Sequence, residues 1–243
     1  MEDFPLYPEI EKALAPLFTK YNIPDTLSVI GFDHQEVLGT NYFPDILDSI
    51  IQKKVISIVY QPYNKDDKTY TLSPYYLKQF NHRWYVFGQV PEDEKNESSA
   101  VITNLALDRI KKLDVANDQS FIENPGIDFK TYFDDIIGVT HIKNNKAANI
   151  WLQVNEDYRG YFETRPLHEK QKPQSTLGED RLVHLPLCVN RELENKLFTL
   201  SSDVKILSPK WLQGKMIERL EKALDMQKKA LEEGKTLLQN KKD

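Results

Sequence analysis

Polar and apolar residues are interleaved through Arg83-Trp84-Tyr85-Val86-Phe87-Gly88, with Trp84, Val86 and Gly88 alternating with Arg83, Tyr85 and Phe87. A period of two places successive side chains on opposite faces of a strand. One face, carrying Trp84 and Val86, is assigned to a core, which leaves the other for a site. Upstream, Tyr70 to Phe80 is rich in strand formers, and Asn81-His82 supplies turn chemistry, so the two runs predict a hairpin. Val55 to Tyr60 predicts a strand before it, Val101 to Leu107 one after it, and Ile110 to Val115 a short fifth. Five short antiparallel strands without a long covering helix predict a small barrel that closes on itself to remove its edges.

The rest of the chain has a longer period. In residues 8–18, Ile10, Leu14, Leu17 and Phe18 share one side of a helix that Pro16 kinks or ends, and Leu27 to Phe32 is extended. A helix over Pro44 to Lys54 has Ile46, Leu47, Ile50 and Ile51 as its apolar face. Residues 117–146 form a linker with turn signals at Pro125-Gly126, Gly138 and Asn144-Asn145. Its stripe of Phe129, Tyr132, Phe133, Ile136 and Ile137 predicts that part of it docks. A strand over 149–154, a helix over 156–164, a strand over 181–189, a helix over 191–200, a strand over 204–207 and a helix from Pro209 to about Leu231 follow. This βαβαβ-like order predicts an α+β domain, ferredoxin-like in outline. Leu212, Met216, Leu220, Ala223, Leu224 and Leu231 mark a stripe on the long C-terminal helix that either packs on its own domain or pairs with another subunit. The expected division is a helical N-terminal segment 1–54, a barrel 55–116, a linker 117–146, an α+β domain 147–230 and a frayed tail 231–243.

Composition narrows the class. With 243 residues, 40% hydrophobic and 28% charged, the chain can build two modest cores. No apolar run approaches the roughly 20 residues of a membrane span, and no signal peptide opens the chain, so the expectation is a cytoplasmic protein with no membrane partner. The single cysteine, Cys188, excludes a disulfide framework and a cysteine zinc cluster, and Leu185-Pro186-Leu187-Cys188-Val189 predicts that it is buried and inert. A net charge of −5 argues against a broad coat for nucleic acid. Residues 53–115 nevertheless hold ten Lys and Arg against eight Asp and Glu, four of the acids crowded into Glu92 to Glu97, which allows a small basic pocket. The five histidines lack metal-ligand spacing, the nine glycines form no phosphate loop, and Ser73 has no nucleophile elbow. No enzymatic activity, metal or cofactor is expected. The pairs Asp66-Asp67 and Asp134-Asp135 are read as solvated turn carboxylates.

Ser73-Pro74, Arg83-Trp84-Tyr85-Val86 and Leu107-Asp108-Arg109-Ile110 together resemble the WYL-domain family, with valine where the naming leucine stands. Arg165 to Gln171, Asn190-Arg191-Glu192-Leu193 and Val204 to Pro209 resemble the C-terminal extension that often follows a WYL domain, and the two likenesses span roughly residues 40–225. The resemblance implies an Sm-like, SH3-like barrel. It also implies a winged helix-turn-helix ahead of it, for which residues 1–25 are too few, so the expectation is a fragment or a stand-alone relative lacking that module. On residues alone, Arg109 ends a strand and pairs with Asp108 or a carbonyl, and Tyr85 is a half-buried strand tyrosine. The resemblance turns both toward ligand contact, because a guanidinium fork suits phosphate or carboxylate and a phenol can stack on a base. Arg83, His82, Ser73 and Tyr60 complete the candidate rim, though each is also an ordinary hairpin or edge residue. The family often carries a second arginine shortly before Asp-Arg-Ile, where this chain has Ile102-Thr103-Asn104. The implied function is a homodimeric, ligand-sensing module of a transcriptional regulator that binds a nucleic-acid fragment, nucleotide or other anion. The alternative is a stand-alone Sm-like module that binds RNA or single-stranded DNA, or that regulates a nucleic-acid enzyme by contact.

Overall fold

The computed structural model describes residues 39–91, 102–177 and 180–239; the helix predicted over 8–18, the extended segment 27–32 and the acidic loop from Glu92 lie outside them. Helix α1, Phe43–Ile51, opens with proline in its first turn, where a missing N–H costs nothing, and buries Ile46 completely. It stops short of Lys54 because Lys53 takes a left-handed φ of 52°, letting the Lys54 amide turn back to donate to the Ser49 carbonyl at 2.9 Å.

Strand β1, Ile56–Tyr60, alternates buried and half-buried positions, so Ile56, Ile58 and Tyr60 face the core. Strand β2, Lys68–Phe80, is 13 residues long and serves two partners. Its first five residues pair with β1, and the remainder pairs with β3, Arg83–Gln89, across an irregularity between Pro74 and Tyr76. Asn81 (φ 47°) and His82 (φ 57°) make a two-residue turn with both residues left-handed, the geometry that suits the twist of a hairpin. Strand β4, Ile102–Ala106, pairs with β3, and a 3-10 turn at Leu107–Arg109 leads into β5, Ile110–Val115, which returns to β1.

The resulting order is β4-β3-β2-β1-β5, an antiparallel sheet with β4 and β5 as its edges. The closed barrel predicted from the strand pattern is therefore not formed. The two edge strands follow one another through the 3-10 turn rather than lying side by side. One face holds Ile46, Ile56, Ile58, Leu72, Val86, Leu105 and Leu107, with Phe43 edge-on to Trp84 at 4.7 Å. The other face is covered by the linker: Phe129, Phe133, Ile136 and Val139 bury Phe87, and Tyr76 stacks on Phe129 at 4.8 Å.

The second sheet comprises β6 Ala148–Val154, β7 Lys172–Leu177, β8 Asp180–Leu187 and β9 Val204–Ser208, in the order β7-β8-β6-β9, all antiparallel. Helix α2, Glu156–Thr164, follows β6, and α3, Arg191–Thr199, follows β8. Asn155 and Asn190 cap them by accepting from the amides of Tyr158 (3.0 Å) and Leu193 (2.9 Å). Helix α4, Lys210–Gln239, is the last described element, and it runs on past Leu231, where a frayed tail was expected. Ile150, Leu152, Val183, Leu185, Phe162, Leu193, Leu197, Leu212 and Met216 form one core. Strand β7 was not among the predicted elements. The molecule is thus mixed α+β, with two antiparallel sheets and, among the described residues, four α-helices and none long and apolar enough to cross a membrane.

The linker is gripped from the second sheet as well. Asn190, 1% exposed, donates through Nδ2 to the carbonyls of Ile137 and Thr140, and Glu192 Oε1 accepts from the Thr140 amide at 3.1 Å and its hydroxyl at 2.6 Å. Cys188 is half-buried rather than buried; its amide donates to the Asp135 carbonyl, and desolvation raises its thiol pKa.

Candidate functional site

Arg83 and Tyr85 lie two residues apart on β3 and so on one side of it. Tyr85 pairs with Ala106, the residue just before the 3-10 turn that carries Asp108 and Arg109. Opposite, the β1–β2 loop is tied to the same turn, because the Gln61 amide donates to the Arg109 carbonyl at 3.0 Å. Asn64, left-handed at φ 57°, turns that loop and presents Tyr63, 59% exposed. Three segments distant in sequence therefore meet at the turn that links the two edge strands.

Asp108 is the centre of the cluster. Its side chain is 4% exposed, its Oδ2 lies 3.3 Å from Arg83 Nε and accepts from the Tyr63 hydroxyl at 3.4 Å, and its Oδ1 lies 4.0 Å from Arg109 Nε. That last separation is too long for a hydrogen bond. Both Asp108 Oδ1 and Arg109 Nε are buried without a hydrogen-bond partner. The Arg109 guanidinium sits 4.7 Å from the Tyr63 ring centroid and 5.7 Å from that of Tyr60, while Arg83 lies 5.9 Å from Tyr63. Such distances are those of cation–π contacts. Lys111 is close by but is paired with Asp67 at 3.1 Å. Two guanidiniums against one carboxylate leave the cluster with a surplus positive charge.

Desolvation pushes the Tyr60 phenol above its ordinary pKa against the opposing pull of Arg109, and does the same to Tyr85 against Arg83 and Arg109. Both phenols are therefore neutral at physiological pH. At Arg83 desolvation works against the charge, but Asp108, Tyr63 and Tyr85 outweigh it and the pKa rises. Beside this cluster a groove of about 230 Å³ is lined by Gln61, Pro62, Tyr63, Asn64, Asp108 and Arg109 among others. That volume is below the ~300–1,000 Å³ of sites for drug-sized ligands. Among the described residues no group of three or more His, Cys, Asp or Glu could hold a metal ion.

Of the residues singled out in the sequence, the structure brings together Arg109, Arg83, Tyr85 and Tyr60. Tyr60 is 6% exposed, and its hydroxyl accepts from the Ala106 amide at 3.4 Å, so it backs Arg109 rather than opening to the groove. His82 is exposed at the second position of the hairpin turn and has no hydrogen bond or ion pair to the cluster. Ser73 is 1% exposed and accepts from the Ile122 amide at 3.0 Å, which pins the linker. Where the family often has its second arginine, Asn104 donates to the Val139 carbonyl at 2.9 Å, and the second guanidinium near Arg109 is that of Arg83. Tyr63 and Asp108 were not among the candidates; an aromatic followed by Asn in a Pro-containing turn was the available signal for Tyr63.

Residues 41–115 match the family model described as the WYL domain, and residues 147–224 match that described as the WCX domain. No curated protein matches the chain. Among solved structures, the chain is similar to proteasome accessory factor B/C (PafBC) of Arthrobacter aurescens at 14% identity, over 73% of this chain and 26% of that one, with a TM-score of 0.29. It is also similar to a CRISPR Cas-related protein at 11% identity, over 79% of this chain and 53% of that one, with a TM-score of 0.46. The chain thus spans about a quarter and about half of the lengths of these two structures. With the two matches in this order, and the arginine cluster inside the first, the chain carries a WYL domain followed by a WCX domain.

Proposed function

We propose that the chain is the ligand-sensing regulatory part of a WYL-type transcriptional regulator, and that the groove beside Arg109 takes a nucleotide, a nucleic-acid fragment or a similar anion. The observation that carries this reading is the state of Arg109. Its guanidinium is held against Tyr63 and Tyr60 at the wall of a groove, with 24% of the side chain exposed. Guanidinium donors of this kind favour phosphate or carboxylate, and the exposed Tyr63 ring offers a stacking surface for a base. The WYL match supports the regulatory reading.

The order β7-β8-β6-β9 with βαββαβ connectivity supports a ferredoxin-like second domain, and the strand β2 shared between β1 and β3 supports an Sm-like origin for the first. Binding regulates only through differential affinity, so the ligand must prefer one arrangement of the two domains.

Fluorescence anisotropy of a short labelled single-stranded DNA, at two salt concentrations, tests the ligand. The expected result is binding that weakens with salt, falls at least tenfold in Arg109→Ala and falls several-fold in Tyr63→Ala and Tyr85→Ala. Equal binding by wild type and Arg109→Ala would remove this groove as the site.

A further inference from the structure

Helix α4 outruns the core that anchors it. Leu212 and Met216 are buried in the second domain, Lys215 Nζ lies 2.5 Å from Glu194 Oε1, and Arg219 stacks over Phe198 at 4.8 Å. Beyond Met216 the helix continues to Gln239, about 35 Å at 1.5 Å per residue. On this stretch Ile217 (55%), Leu220 (38%), Leu224 (54%) and Leu231 (64%) are exposed. Their spacing of three, four and seven keeps them on one narrow stripe, distinct from the buried line of Leu212 and Met216. This spacing is that of the a and d positions of a coiled coil, with Gln227 and Gly234 at the remaining d positions.

The flanking residues select the occupant and its direction. With Ile217, Leu224 and Leu231 at a, the e positions hold Glu221 and Lys228, and the g positions hold Ala223 and Ala230. A parallel pair would set g beside e and bring alanine against a charge. An antiparallel pair sets e beside e and g beside g, so Glu221 meets Lys228 twice by symmetry and alanine meets alanine. The same alignment places Leu220 opposite Leu231 and Leu224 opposite Gln227. The stripe is therefore self-complementary, as an isologous two-fold contact requires.

We propose that this stripe is a dimer seam in which α4 packs antiparallel against α4 of a second copy of the chain, with Glu221 beside the partner's Lys228. The seam is independent of the ligand reading, since none of its residues lies in the groove.

Sedimentation equilibrium of the full chain tests it. Wild type is expected at twice the 28.4 kDa of the chain. Leu224→Glu should shift the dimer to monomer by at least tenfold in dissociation constant while leaving the circular dichroism spectrum unchanged, because Leu224 touches no core. Glu221→Lys alone should weaken the dimer, and adding Lys228→Glu should restore it. A monomeric wild type, or a dimer indifferent to Leu224→Glu, overturns the proposal. So does a monomer whose Lys228 cross-links to residues 1–38, since the chain itself would then cover the stripe. A charge swap that fails to restore pairing overturns the antiparallel register.

Discussion

Asp108 restrains two arginines at once. Its carboxylate stands 3.3 Å from Arg83 and 4.0 Å from Arg109, almost wholly out of solvent, while the arginines keep 44% and 24% of their side chains exposed. Removing the charge leaves two guanidiniums facing each other across a neutral amide. Breaking a fully buried pair costs roughly 3–5 kcal/mol, but solvent around the arginines screens this one, so Asp108→Asn should lower stability by about 1–3 kcal/mol in a denaturant melt. The same substitution removes the carboxylate in the groove wall that would oppose an anion there. Affinity for the labelled oligonucleotide should therefore rise while stability falls, and a parallel fall in both would show Asp108 to be structural only. Arg109, Arg83 and Tyr85 are legible in the sequence because strand alternation and the Leu-Asp-Arg-Ile turn place them. Tyr63 is not, because a loop residue 46 positions before Arg109 reaches it only through the pairing of β1 with β5.

The 3-10 turn depends on a close backbone approach. Gly39, at φ 84°, sits so near that an added Cβ would lie 2.3 Å from the Leu107 carbonyl carbon and 2.5 Å from the Asp108 nitrogen. Neither atom belongs to a flexible side chain, and a left-handed φ already disfavours alanine. Gly39→Ala should cost about 2–4 kcal/mol by thermal or denaturant unfolding and should weaken anion binding through displacement of Arg109. Stability within 0.5 kcal/mol of wild type would show that the turn can move aside. At this scale, strands of alternating pattern and helices with Pro or Asn at their starts can be read directly. Strand β7 cannot, since Lys172-Pro173-Gln174-Ser175 has no apolar alternation and its proline is tolerated only because the strand is an edge. The aromatic stripe of the linker foretells docking, whereas the sheet face it covers had been reserved for a site. Phe87, in step with Tyr85, lies under that cover.

Across the whole molecule the linker joins the two sheets; one imidazole, His141, lies in it, and another, His168, lies beside it. Burial lowers the pKa of His141, whose ring lies tilted against Tyr132 at 4.0 Å, against the smaller raising effects of a Tyr132 backbone hydrogen bond and of Asp135; burial likewise lowers that of His168. A histidine whose folded pKa lies below its ordinary value of 6.5 binds its proton more readily when unfolded. Its contribution to stability is full above pH 6.5 and is lost as the pH falls through the folded pKa. The melting temperature should thus decline on acidification from pH 8 to below 6, and His141→Gln should flatten part of that decline; an unchanged profile would place the acid sensitivity elsewhere. Asn104 donates to the Val139 carbonyl, and the next residue, Thr140, is held by Glu192 in the first turn of α3. In mechanical terms this is a short drawbar. Four residues of chain separate Asn104 from Arg109, and no slack loop lies between them to absorb strain. Under the proposed sensing role, a pull on the arginine is expected to have little travel before it reaches the head of a helix in the other domain.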